Sequence, residues 1–192
     1  QEYAMNVAET ASTFAEAIVS DALLRRAGSD EEKLALLDER LTRAVAFCMN
    51  IRARFLFETS FYARRASGML EAAELSELMT EAQKEAFGDA LGSWHPHFWA
   101  SKLHFYLTDV PFYNFPYTFG YLFSTGLAAV AEREGASFAE RYDALLRDTA
   151  VMTVEELASR HLGVRLDEPG FWNDAVARAV SDVDAFAALC KA

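Results

Sequence analysis

Apolar positions recur at helical spacing along nearly the whole chain. Over residues 2–27, Val7, Ala11, Phe14, Ile18 and the pair Leu23–Leu24 mark one helix, and Gly28 follows as a C-terminal cap. Ser29 and Asp30 open a longer helical region that carries Leu34, Leu37, Leu41, Val45, Phe47, Ile51, Phe55 and Phe61 and ends near Gly68. The same spacing predicts helices over about 71–92, about 118–134 and about 171–189. Ser137 with Glu140, and Thr153 with Glu156, have the spacing of capping boxes for two short helices, the second ending at Gly163. No repeat, low-complexity tract or linker interrupts the pattern. The expectation is an all-α fold, one irregular multi-helix domain over residues 1–192.

Residues 104–126, HFYLTDVPFYNFPYTFGYLFSTG, break the pattern. Tyr113, Phe115, Tyr117, Phe119, Tyr121 and Phe123 occupy every second position, with Phe112 just ahead. Strict alternation of aromatics is a strand signal. Pro116 lies in the middle, cannot donate to a ladder, and has no partner strand elsewhere in the chain. A Pro-kinked loop feeding a helix near Thr118 is therefore expected, with an edge strand as the alternative. His104, Tyr113, Asn114 and Tyr117 place polar tips among the rings, which suits a surface apolar to a ligand yet able to donate hydrogen bonds. Phe112, Phe115 and Phe123 read as packing residues.

Composition narrows the function classes. The chain has 192 residues, is 52% hydrophobic and 24% charged, and carries a net charge of −11. That charge argues against nucleic acid, whose phosphates need clustered Lys and Arg. No apolar run reaches the roughly 18 residues of a membrane span, so no membrane partner is expected. Cys48 and Cys190 sit in apolar helical contexts and read as reduced thiols of a cytoplasmic protein. The helical pattern begins at Gln1 with no lead-in, which reads as a piece of a longer chain.

Chemical motifs are sparse. His95, His97, His104 and His161 form no HExxH pair, and there is no C-x-x-C, Gly-rich phosphate loop or G-x-S-x-G elbow. His95 and His97 flank Pro96, where a surface turn competes with metal chelation. Residues alone leave two readings open, an enzyme with a tyrosine-lined groove and a helical domain that binds a peptide or partner.

Three segments resemble oligoendopeptidase F, of the thimet oligopeptidase group of zinc metallopeptidases. HFYLTDVPFYNFPYTFGYLFSTGLAA is similar to that family's substrate-binding stretch, a His followed by a Tyr-rich, Gly-containing loop that enters a helix. VAETASTFAEAI resembles its E-x-x-S-T-F-x-E helix, and LASRHLGVRLDEPGFWNDAVARAVSDVDAF its closing segment. The resemblance implies the C-terminal lobe of a zincin-type oligopeptidase that hydrolyses short peptides. It places Glu9 on the third zinc ligand, with Glu16 seven residues on as a partner that could orient a histidine. It places Tyr121 and His104 among catalytic donors to the oxyanion, and Tyr113 and Tyr117 on substrate, with Gly120 letting the loop close. The chain departs from the pattern in carrying extra residues, within LTDVP, between His104 and Tyr113. It also lacks HExxH, so zinc would need two histidines from an upstream segment, and the fragment itself is expected to be inactive. The surface exposed by that truncation is expected to support a homo-oligomer. The alternative is a catalytically dead helical peptide- or partner-binding domain.

Overall fold

A computed structural model describes residues 3–191. Among them the chain is all-helical, with no strand. The α-helices are α1 (Thr10–Arg26), α2 (Asp30–Val45), α3 (Ile51–Arg65), α4 (Ala72–Phe87), α5 (Phe115–Glu134), α6 (Phe138–Asp148), α7 (Val154–Leu162) and α8 (Pro169–Leu189). A π-helical segment, Ala46–Asn50, runs from α2 into α3, and short 3-10 turns connect the rest.

The chain divides into two compact units, one of residues 1–44 and 119–192, the other of residues 45–118. The first unit is thus built from both ends of the sequence. Its core gathers Phe14 of α1, Phe123, Leu127 and Val130 of α5, Phe138 and Leu145 of α6, Leu157 of α7 and Phe171 of α8. The second unit packs α3 on α4 through Phe57, Leu78, Met79 and Ala82, with Phe98, Trp99 and Phe105 against that cluster.

Several boundaries differ from expectation for local reasons. Helix α1 starts at Thr10, preceded by a 3-10 turn at Met5–Val7. Gly28 is absent from the left-handed glycines; instead its N–H donates to Glu32 Oε2 at 2.8 Å, while the Glu32 N–H donates to Ser29 Oγ at 3.2 Å. Gly28 therefore belongs to the start of α2 rather than the end of α1. The aromatic alternation is helical from Phe115 onward, three residues earlier than expected. Pro116 falls in the first turn of α5, where a missing N–H has no intrahelical partner to lose. Ser137 does not cap α6: its backbone is helical (φ −66°, ψ −21°), and its hydroxyl donates to Glu134 O at 2.9 Å. Thr153 does form its box with Glu156, and Gly163 ends α7 at φ 69°.

Candidate functional site

Glu9 stands at the N-cap of α1, half-buried, and its carbonyl takes the Thr13 N–H at 3.1 Å. The following residues are small and hydroxylated because α1 meets α5 at close range. Thr13 Oγ1 lies 2.6 Å from Ser124 Oγ, 2.6 Å from Glu9 O and 3.2 Å from Gly120 O. The Ser124 hydroxyl also reaches Thr10 O at 2.9 Å. The two hydroxyls thus bridge helix carbonyls of α1 and α5 in a buried seam. Gly120 sits in the second turn of α5, not in a loop. A Cβ there would lie 2.8 Å from Glu9 Cβ and 3.5 Å from Glu9 Cα. The glycine lets the Glu9 backbone seat directly on α5, and so fixes where the Glu9 carboxylate starts.

That carboxylate makes no hydrogen bond or ion pair among the described residues. Glu16, by contrast, pairs with Arg43 of α2, so an orienting role toward a histidine has no counterpart within this pair. Tyr121, whose carbonyl accepts from Thr125 Oγ1 at 2.7 Å, lines a small cavity of about 60 Å³ with Thr13, Glu16, Arg40 and Arg178. Among the described residues no three His, Cys, Asp or Glu side chains come together as a metal-holding group. Glu9 offers one carboxylate; these residues do not by themselves fit a zinc ion.

The second unit holds the other expected site residues. His104, Tyr113 and Tyr117 form a three-ring cluster. His104 and Tyr113 stack at 6.0 Å and 15°, while Tyr117 stands edge-on to both, at 5.8 and 6.1 Å. His104 Nε2 and the Tyr117 hydroxyl are hydrogen-bonded at 3.2 Å, and His104 Nδ1 is buried without a hydrogen-bond partner among the described residues. Burial, reinforced by the charges of Arg54 and Lys102, pushes the His104 imidazole below its ordinary value and favours the neutral ring.

The backbone that carries Tyr113 is under strain. Phe112 has φ 61°, uncommon for a residue with a side chain. Its N–H donates to buried Glu58 Oε1 at 2.7 Å, and its ring packs on Phe55 and Tyr62 at 5.7 and 5.3 Å. These contacts hold a conformation that costs of order 1–3 kcal/mol and turn Tyr113 into the cluster. Phe123, expected as a packing residue, is fully buried in the first unit's core.

Three residues that sequence reasoning passed over belong to this cluster. Arg54 on α3 donates from Nε to Asn50 Oδ1 at 2.9 Å and from Nη1 to Asn114 Oδ1 at 3.3 Å. Its guanidinium carbon also lies 5.4 Å from the Phe98 ring centre, and Lys102 Nζ lies 4.4 Å from the same centre. The signal was the Asn50–Arg54 spacing of four on a helix, which is too common to stand out. The π-helical segment sets the geometry: Thr118 Oγ1 caps its Phe47 carbonyl at 2.5 Å. Such segments recur at functional sites. His95 and His97 form a turn, in which Gln83 pairs with both the N–H and the carbonyl of His95.

Comparison with family models, with curated proteins and with solved structures returns no match to this chain.

Proposed function

We propose that the chain is the C-terminal portion of a zinc metallo-oligoendopeptidase that hydrolyses short peptides. The observation that carries this reading is the seating of Glu9 on Gly120. A side-chain-free position in α5 is matched to one glutamate, whose carboxylate has no hydrogen-bond or ion-pair partner among the described residues. That arrangement suits a carboxylate reserved for an external ligand, and Glu9 is the residue that the resemblance to oligoendopeptidase F assigns to zinc. When bound, zinc would supply an activated water and a Lewis acid; Glu9 would be one of its ligands, the others coming from an HExxH helix.

The chain's own contribution is the polar face of the aromatic cluster. The phenols of Tyr113 and Tyr117 would offer donors to a peptide backbone, with His104 Nε2 positioning the Tyr117 hydroxyl; in the first unit, Tyr121 would donate toward an oxyanion. Neutral donors in a partly dry cleft stabilise developing negative charge without first having to shed a counter-ion.

The test uses the intact gene product. It is expected to contain zinc by elemental analysis and to cleave a short internally quenched peptide. Glu9→Gln should lose both zinc and at least about a hundredfold in turnover, the scale expected when a group acting directly on the reacting centre is removed. An intact product with neither zinc nor cleavage, yet with peptide affinity, would replace this reading with that of a binding domain.

A further inference from the structure

We propose that Arg54, with Lys102 and His104, forms a subsite that binds a carboxylate of a peptide ligand. The inference rests on the peptidase reading for its ligand class and on the second unit alone for its geometry. Arg54, Asn50, His104 and Tyr117 line a shallow cleft of about 310 Å³. The chain carries 29 acidic and 18 basic residues, so a half-buried arginine should find a carboxylate easily. Arg54 has none. Its partners are two amide oxygens and an aromatic face, and its Nη2 donates to nothing among the described residues. Lys102, on the same Phe98 ring, likewise has no ion-pair partner among the described residues. Glu58, the nearby carboxylate on α3, takes the Phe112 N–H on Oε1, keeps Oε2 buried without a hydrogen bond, and makes no ion pair with Arg54 among the described residues.

Burial with no carboxylate beside them among the described residues disfavours the charge on both Arg54 and Lys102. Burial lowers the affinity of Arg54 for its proton, with Tyr117 opposing, and no carboxylate contributes. Burial followed by the Arg54 charge lowers Lys102. Arg54 and Lys102 are like charges on one aromatic ring, and an incoming anion would relieve their repulsion. A second observation points the same way. Asn114 is wholly buried, bonded to Arg54 through its oxygen, and its Nδ2 donor has no acceptor among the described residues. Native interiors seldom leave such groups unpaired, so the Arg54–Asn114 pair is short of acceptors as well as of negative charge. A carboxylate fits the planar guanidinium fork in a way a point cation would not demand.

A peptide presents a carboxylate either at its C-terminus or on an acidic side chain. Three probes separate these: dansyl-Gly-Phe-Leu-Ala as the free acid, the same peptide as its C-terminal amide, and the C-terminal amide of dansyl-Gly-Phe-Leu-Glu. Each is titrated against the chain by fluorescence. At least one acidic probe is expected to bind about tenfold more tightly than the neutral amide, equivalent to about 1.4 kcal/mol. The acidic probe that gains identifies the source. Arg54→Gln should bring that ratio close to one and Arg54→Lys should retain part of it, with unchanged helical circular dichroism. Lys102→Met, on a half-exposed side chain, should lower the ratio even if Arg54→Gln fails to fold. Equal binding of all three probes, no binding of any, or a preference that survives Arg54→Gln and Lys102→Met in folded protein overturns the subsite. Failure of the peptidase reading looks different: an acid preference without cleavage by the intact product removes the enzyme and leaves the subsite. Cleavage with equal affinity for acid and amide does the reverse.

Discussion

Two glycines on α5 carry more of the packing than any side chain of their size. A Cβ at Gly126 would lie 2.2 Å from Phe171 Cζ, and one at Gly120 would meet Glu9. Gly126→Ala forces the Phe171 ring to move, a strain of about 1–3 kcal/mol, against about 1 kcal/mol returned by better helix propensity. A net loss of stability is expected in chemical denaturation. Phe171→Leu opens the space, so Gly126→Ala added to that variant should cost markedly less, and additive losses would show that the ring is not the obstacle. Neither contact is legible in the chain, because a glycine in a helical pattern announces permission to approach but never the partner.

At the scale of elements, two sequence patterns that look alike behave differently. Thr153 takes the Glu156 N–H at 3.3 Å while Glu156 Oε2 takes the Thr153 N–H at 2.9 Å. Ser137 follows α5 through a 3-10 turn in helical geometry, so no free N-terminal N–H faces its hydroxyl. Thr153→Ala should therefore cost about 1 kcal/mol, and Ser137→Ala should stay within about 0.5 kcal/mol of the parent. Equal effects in thermal melts would refute the distinction. The aromatic alternation carries a similar lesson. Period two along 113–123 describes only the spacing of ring-bearing residues; the first-turn proline and the apolar positions of Phe119, Phe123 and Leu127 are consistent with a helix, and packing selects it. The π-helical insertion at Ala46–Asn50 left no trace in the periodicity, since one extra residue in a turn shifts the apolar phase by less than neighbouring side chains can absorb.

At the scale of the molecule, the first unit closes the chain on itself through charge. Asp21 of α1 pairs with Arg40 of α2 at 2.7 Å and with Arg178 of α8, and Arg40 also reaches Asp182 of α8 at 2.9 Å. Burial works against the Arg40 charge, yet Asp21 and Asp182 more than offset it and hold its affinity for the proton above the ordinary value. With these side chains only 12–18% exposed, removing one partner strands the others. Asp21→Asn should cost about 3 kcal/mol, the lower end for breaking a buried pair. A loss below about 1 kcal/mol, the value of exposed pairs, would show that solvent screens the network.

The amino-acid sequence by itself determined the helical class, most helix positions, the aromatic segment as the unusual feature and the absence of any apolar run long enough to cross a membrane. These follow from local periodicity, proline chemistry and composition, which act within a few residues. Tertiary structure alone decided that Glu9 rests on Gly120 across more than a hundred residues, that His104, Tyr113 and Tyr117 share one cluster, and that Arg54 lies beside it with no counter-ion among the described residues. The physical reason is that a charge reveals its role only through the partners it lacks, and partners are fixed by packing between distant segments, not by spacing along the chain.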